Sequence, residues 1–320
     1  MTHDQDTTMY RKSITRSIST GAGVIALLAA LASTAALADT PIHLSREAAP
    51  DAQIVIRNIK GEVRVTGWNQ NRVQVDGTLG EGARPLQISG DAHALEIRVE
   101  PTGTGSGWFG FSRDNEMGPS VLDVHVPHAA ALQVHVVSAP VDVTGVDGRS
   151  LGVNTVSGRV HLAARAGAVK VDSVSGEVNL EGSADALDVQ TVSGDVQAAT
   201  LNGNLTAQTV SGDLLLRGHA LNRVNLGTVS GTLQLDAALA PAASWKIDSM
   251  SGDVRLTLPE NTSAQIKADT FSGDLRSDFG KPYGSEHGPG EHLGARIGGG
   301  NGSIVINTFS GDVHINRGSR

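Results

Sequence analysis

The sequence predicts an all-β protein: a β-solenoid of stacked 18–21-residue rungs, with a less regular N-terminal β portion. Three observations predict it. A Ser-Gly pair recurs at a near-constant interval. The residues around each pair alternate between apolar and polar. Glycine is abundant at 39 residues while aromatics number only ten, so packing falls to Val, Leu, Ile and Ala. A motif repeated at a fixed interval marks a unit that stacks on its own copies, since a catalytic motif needs to occur only once.

The Ser-Gly pairs begin at Ser157, Ser175, Ser193, Ser211, Ser230, Ser251, Ser272 and Ser310, at intervals of 18, 18, 18, 19, 21, 21 and 38. Typical units read "LDVQTVSGDVQA" (187–198), "LTAQTVSGDLLL" (205–216) and "IVINTFSGDVHI" (304–315). Within a unit the apolar period is two, which marks strands. The phase flips once, at the hydroxyl-apolar step. Leu205, Ala207 and Thr209 share one parity, whereas Val210, Gly212, Leu214 and Leu216 share the other. The flip predicts a corner at which two neighbouring side chains, such as Thr209 and Val210, both point inward. Gly158, Gly176, Gly194, Gly212, Gly231, Gly252, Gly273 and Gly311 would form that corner, where positive φ or a close approach excludes a side chain. A single unit cannot bury its apolar face, but a stack can.

The elements follow in chain order. Residues 1–38 read as a signal peptide. Arg11, Lys12 and Arg16 precede an apolar run from Ala22 to Leu37, which ends in Ala36-Leu37-Ala38. Residues 39–120 form the N-terminal β portion, which either continues into the stack or caps it. Residues 121–320 form the repeat domain. Two degenerate units extend the pattern backwards: "LQVHVVSAPVDV" (132–143), with Ala139 in place of glycine, and "IVIRNIKGEVRV" (54–65). The 38-residue interval holds a glycine-rich insert, 279–303, expected to be a mobile loop. The chain stops just after Val313–Ile315, so that strand is expected to be the open edge. It would then self-associate or be covered by the insert.

Composition narrows the function. Without cysteine there are no disulfides, no thiolate metal sites and no N-terminal lipid anchor through Cys. The formal charge is −8, and −9 without residues 1–38, with no basic block. Nucleic-acid binding therefore has no electrostatic support.

The serial "VSGDV", "VSGEV" and "FSGDL" units, the "VLDVHVPHAAALQVHVVSAPVDV" stretch (121–143) and the "GGGNGSIVINTFSGDVHI" ending (298–315) resemble the DUF4097 family. These are bacterial envelope proteins often labelled adhesins. The likeness covers roughly 51–315. It implies an all-β, solenoid-like fold and an exported or surface location, and carries no catalytic residue with it.

Candidate chemistry is sparse. After each Ser-Gly come Arg159, Glu177, Asp195, Asp213, Thr232, Asp253, Asp274 and Asp312. Such a column invites calcium, but Arg159 and Thr232 interrupt it, and Asp after Ser-Gly is ordinary turn chemistry. A paired-carboxylate glycosidase or lyase site should break the repeat, and no unique acidic cluster does so. His287 and His292 stand beside Glu286 and Glu291 without a recognised zinc spacing. "GGGNGS" (298–303) precedes a strand and has no lysine, so it is not a phosphate loop. "GSGWFGFSRDNEMG" (105–118) differs from the rest. Trp108, Phe109 and Phe111 form either a cap or a contact loop.

The expectation is an exported, non-catalytic protein of the periplasm or cell surface. It presents a rigid surface that binds or scaffolds an envelope glycan, lipid or protein, and needs no cofactor or metal. A carbohydrate-active β-helix enzyme and a calcium-ordered surface module are the alternatives.

Overall fold

The structure, a computed structural model, describes residues 40–102, 117–284 and 289–318. The leader and the aromatic loop with Trp108, Phe109 and Phe111 lie outside the described residues. The described residues belong to one unit, Asp39–Arg320, and contain strands but no helix.

Each rung is a strand, a corner and a second strand, and each pairs in parallel with its neighbours. The register is like over like. Ser157 stands against Ser175, Ser175 against Ser193, Ser193 against Ser211, Ser211 against Ser230, and Ser230 against Ser251. The apolar positions therefore form continuous columns. One runs Ile54, Leu132, Leu151, Val169, Leu187, Leu205, Val224, Trp245. Across the corner a second runs Val141, Val160, Val178, Val196, Leu214, Leu233, Val254. These side chains are almost fully buried. Each contributes about 1.5–3 kcal/mol through burial. Trp245 fills the column in its rung, and its indole N–H donates to the Leu221 carbonyl at 3.2 Å.

The stack includes the degenerate unit at 54–65. Gln53–Trp68 is already a full rung, lying under both Ala131–Ser138 and Val141–Ser157. Below it lie Ala94–Arg98 and Ser120–Pro127. Antiparallel strands then close the base. Gln87–Asp91 pairs with Ala94–Arg98, Arg72–Leu79 pairs with Ser120–Pro127, and Thr40–Glu47 pairs with Arg72–Leu79.

At the other end the sequence order is broken. Gly302–Ser310 does not follow Ala264–Ser272 in the stack. It lies between Leu233–Ser251 and Ala264–Ser272, in parallel with both. Val313–Gly318 is likewise held between Val254–Pro259 and Leu275–Ser277. The expectation that the last strand forms the open edge is therefore wrong. Stacking order follows the fit of the columns, and Ile304 and Ile306 match Trp245 and Ile247 below and Ile266 and Ala268 above.

The outermost rung is Ala264–Ser272, and the insert covers it. Glu291–Ile297 pairs with it antiparallel along seven residues, and Tyr283–Gly284 adds a short further strand. The insert expected as a loop throughout thus contributes a capping strand. The cap is pinned by Glu291, whose carboxylate accepts the Leu275 N–H at 2.6 Å. His292 meets Asp269 at 2.7 Å, which accounts for the described half of the histidine-glutamate pair noted in the sequence.

An interior position for the last strand has a measurable consequence. Ile306→Ala should cost about 2–5 kcal/mol, as at any packed core site. Amides of 304–308 should exchange as slowly as those of 205–209, although they lie close to the C-terminus. Exchange at the rate of a frayed terminus would contradict the interleaved order.

Candidate functional site

The corner is where the repeat does its chemistry. At Gly212 φ is +145°, a region closed to β-branched residues. Space excludes a side chain as well. A Cβ on Gly212 would collide with the carbonyl oxygen of Gly194 one rung below. The same backbone-on-backbone contact recurs at Gly158, Gly176, Gly194, Gly231, Gly252, Gly273 and Gly311. Gly252 needs only the space, since it is not among the glycines with positive φ.

The hydroxyl column lies beneath the corner. Thr155, Ser173, Thr191, Thr209, Thr228, Ser249, Thr270 and Thr308 are all buried. Thr155 donates to the Ser157 carbonyl at 3.1 Å, Thr228 to that of Ser230 at 3.2 Å, and Ser249 to that of Gly252 at 2.8 Å. These bonds tie the last inward residue to the backbone of the bend.

The acidic column binds the stack to itself. Asp195 accepts the backbone N–H of Asp213 at 2.9 Å, and Asp213 accepts that of Thr232 at 2.7 Å. Asp253 accepts the N–H of Asp312 at 3.1 Å, and Asp312 that of Asp274 at 2.9 Å. Each carboxylate thereby satisfies a corner donor one rung away. Stacked carboxylates about 4.8 Å apart repel by about 0.9 kcal/mol at water's dielectric. A hydrogen bond to a charged acceptor contributes about 1.5–3 kcal/mol, so the bond outweighs the repulsion. At Arg159 and Glu177 the column turns to an ion pair at 3.4 Å.

The residue after each buried hydroxyl points outward, not inward as the parity flip suggested. Val156, Val174, Val192, Val210, Val229, Met250, Phe309 and Phe271, together with Val137, which follows Val136 in the degenerate rung, are 43% to 58% exposed. The alternation continues one residue past the hydroxyl, and the phase change falls across Ser-Gly-Asp instead. The result is an apolar ladder on the outer face, ending in Phe309 and Phe271 stacked at 4.9 Å with planes 7° apart. Soluble proteins rarely leave so continuous an apolar strip uncovered.

Beside the ladder runs a groove of about 940 Å³. Its opposite wall is formed by His135, Asn154, Asp172, Gln190, Gln208 and Asp248, with Gly227 leaving one gap. Lys170 sits 3.4 Å from Asp172 and 3.6 Å from Asp188, and those two carboxylates raise its pKa above the usual lysine value. His135 is pushed below its ordinary pKa by burial and then by Arg57. Sequence reasoning passed over both walls. The signal was the plain alternation, which places Gln208 and Val210 on the face opposite Ala207 and Thr209. Among the described residues no group of three or more His, Cys, Asp or Glu is placed to hold a metal.

The fold and this repeated corner define a class: a parallel β-stack with glycine corners, an outward apolar ladder and antiparallel caps. The family profile Toastrack DUF4097 matches residues 48–316, and the chain belongs to that family. Several solved structures are similar to it at low identity. A proposed lipid-binding protein from Parabacteroides distasonis is 11% identical, covering 88% of this chain and 97% of its own, with a TM-score of 0.46. A proposed adhesin from the same organism is 11% identical, covering 88% and 98%, with a TM-score of 0.40. A proposed adhesin from Bacteroides fragilis is 13% identical, covering 87% and 98%, with a TM-score of 0.35. No curated protein matches the chain.

Two substitutions separate the roles of neighbouring corner residues. Gly212→Val should destabilise by about 3 kcal/mol or more, through forced φ and the clash with the rung below. Asp213→Asn should stay within about 0.5 kcal/mol, because an amide oxygen still accepts the Thr232 N–H. Urea denaturation of both variants checks this. Equal midpoints would sink the close-approach account.

Proposed function

We propose that the protein is exported to the periplasm or cell surface. There it serves as a non-catalytic binding or scaffolding protein, with the outer face of the solenoid as its contact surface. The observation that carries this reading is the half-exposed ladder from Val137 to Phe271. The core is already complete without these side chains, so their exposure has no folding purpose. The adhesin descriptions of related structures are consistent with such a role. The acidic column has a structural use in satisfying corner N–H groups, which favours a scaffold over a calcium module or a hydrolase.

The test is retention on an isolated cell-envelope fraction. Wild-type protein should sediment with it. Val192→Asp/Val210→Asp should lose at least tenfold in retention at an unchanged melting temperature, since both positions are solvent-facing. Equal retention of the two proteins, or none by wild type, would remove the outer ladder as the contact surface.

A further inference from the structure

Among the described residues nothing covers the ladder, whose nine members span eight steps of about 4.8 Å, or about 38 Å. At 43% to 58% exposure they leave on the order of 800 Å² open, close to what one partner gives to a standard protein–protein interface. The ladder is not uniform. From the base upwards it reads six valines, then Met250, Phe309 and Phe271. A partner must therefore match a strip that is slender at one end and broad at the other.

A second copy of the chain meets that demand in one orientation. Two identical faces related by a two-fold axis lie either parallel or antiparallel, and residue i contacts j as j contacts i. In the parallel pair each ladder residue meets its own copy. The phenylalanines then collect at one end, and the interface gapes as a wedge along the valines. In the antiparallel pair, centred on the fifth rung, Val137 meets the partner's Phe271, Val156 the partner's Phe309, and Val174 the partner's Met250. Both ends then carry one large and one small side chain at each contact, so the two faces close evenly. Val192 meets the partner's Val229, and Val210 meets the partner's Val210.

The polar wall beside the ladder suits the same reversal. Its gap at Gly227 falls opposite the partner's Gln190, a side chain long enough to fill it. The gap is open space, since a Cβ at Gly227 would meet only Gln208, at 3.9 Å. Gln208 lies opposite the partner's Gln208, and Asn154 opposite the partner's Asn307. Side-chain amides carry both donors and an acceptor, so like pairs can satisfy each other. Asn307 donates to Asp248 within its own chain and keeps its oxygen for that contact. His135 lies opposite the partner's Asp269, a ring N–H beside an acceptor. Asp172 opposite the partner's Asp248 is the one meeting of like charges. Each carboxylate brings its own lysine, Lys170 and Lys246, so the cluster is neutral.

We propose that the ladder is the interface of an antiparallel homodimer, with Val210 on the two-fold axis. The proposal rests on the reading of the outer face as a contact surface, and names the partner as a second copy of this chain.

Sedimentation equilibrium of the purified protein should show a dimer at about 100 µM, because interfaces of this size hold at micromolar Kd or tighter. Val192→Asp/Val210→Asp should raise the dimer Kd at least tenfold at an unchanged melting temperature. Disulfides read the orientation, since the chain has no cysteine of its own. Val210→Cys should link to its own copy under mild oxidation. Val156→Cys should not, but should link to Phe309→Cys when the two variants are mixed. A monomeric wild type at that concentration, or Val156→Cys linking to itself as readily as Val210→Cys, overturns the proposal. The two readings fail separately. Envelope retention that depends on Val192 and Val210 in a monomeric protein removes the second copy and keeps the contact surface. A dimer that Val192→Asp/Val210→Asp disrupts, without envelope retention by wild type, keeps the homodimer and removes the envelope role.

Discussion

Parallel, in-register pairing of one rung on the next is the constraint from which the other features follow. Like stands over like, so whatever a position carries is repeated about every 4.8 Å up the stack. For Val and Leu this repetition is favourable on both faces of contact. For a corner it leaves no room for a Cβ, because the glycine carbonyl of one rung lies where the next residue's side chain would start. For an acid it stacks like charges. The chain meets that cost by turning each Asp towards the N–H of the following rung. The motif Ser-Gly-Asp is thus one solution to three demands of the same geometry: a bend, a close approach and an unpaired donor.

A stack of parallel strands has two raw edges, and an uncovered edge recruits other chains. Both ends here change from parallel to antiparallel pairing. At the base, strands from the first hundred residues run against the lowest rung. At the far end, Glu291–Ile297 runs against Ala264–Ser272. An antiparallel strand does not carry the rung pattern forward, so the repeat stops there. The interleaved C-terminal strand serves the same end. It places Ile304 and Ile306 in the interior and leaves the outermost rung next to its own insert.

Much of this was legible in the sequence, and the misses have physical causes. The period of 18–21 residues and the alternation within it specify parallel rungs, because only stacking buries a one-faced unit. Gly212 was legible as a corner, though the clash with Gly194 depends on rung spacing that a single unit does not show. Val210 faces outward because the phase change falls one step later than the parity of the apolar residues implies. The three residues Ser211, Gly212 and Asp213 absorb it, and period counting cannot choose among them. The swapped order of the last two rungs was hidden for a different reason. An interval of 38 residues reads equally as a loop within a regular stack or as an excursion that lets a later strand enter first. Only the match of Ile304 beneath Ile266 and above Trp245 resolves the two.

A repeated surface gives strength through number but no direction along its axis. Direction has to come from the positions that depart from the repeat. Gly227 opens a gap in the polar wall between Gln208 and Asp248. Three rungs at the insert-capped end replace valine in the ladder by Met250, Phe309 and Phe271, with the two phenyl rings stacked. The ladder is therefore slender and aliphatic over most of its length, and broad and aromatic at one end. A linear partner would find equivalent contacts at each valine rung and a distinct one at the phenylalanines. On the proposed reading, the uniform rungs would set how much of a partner is held, and the exceptional rungs which way it lies.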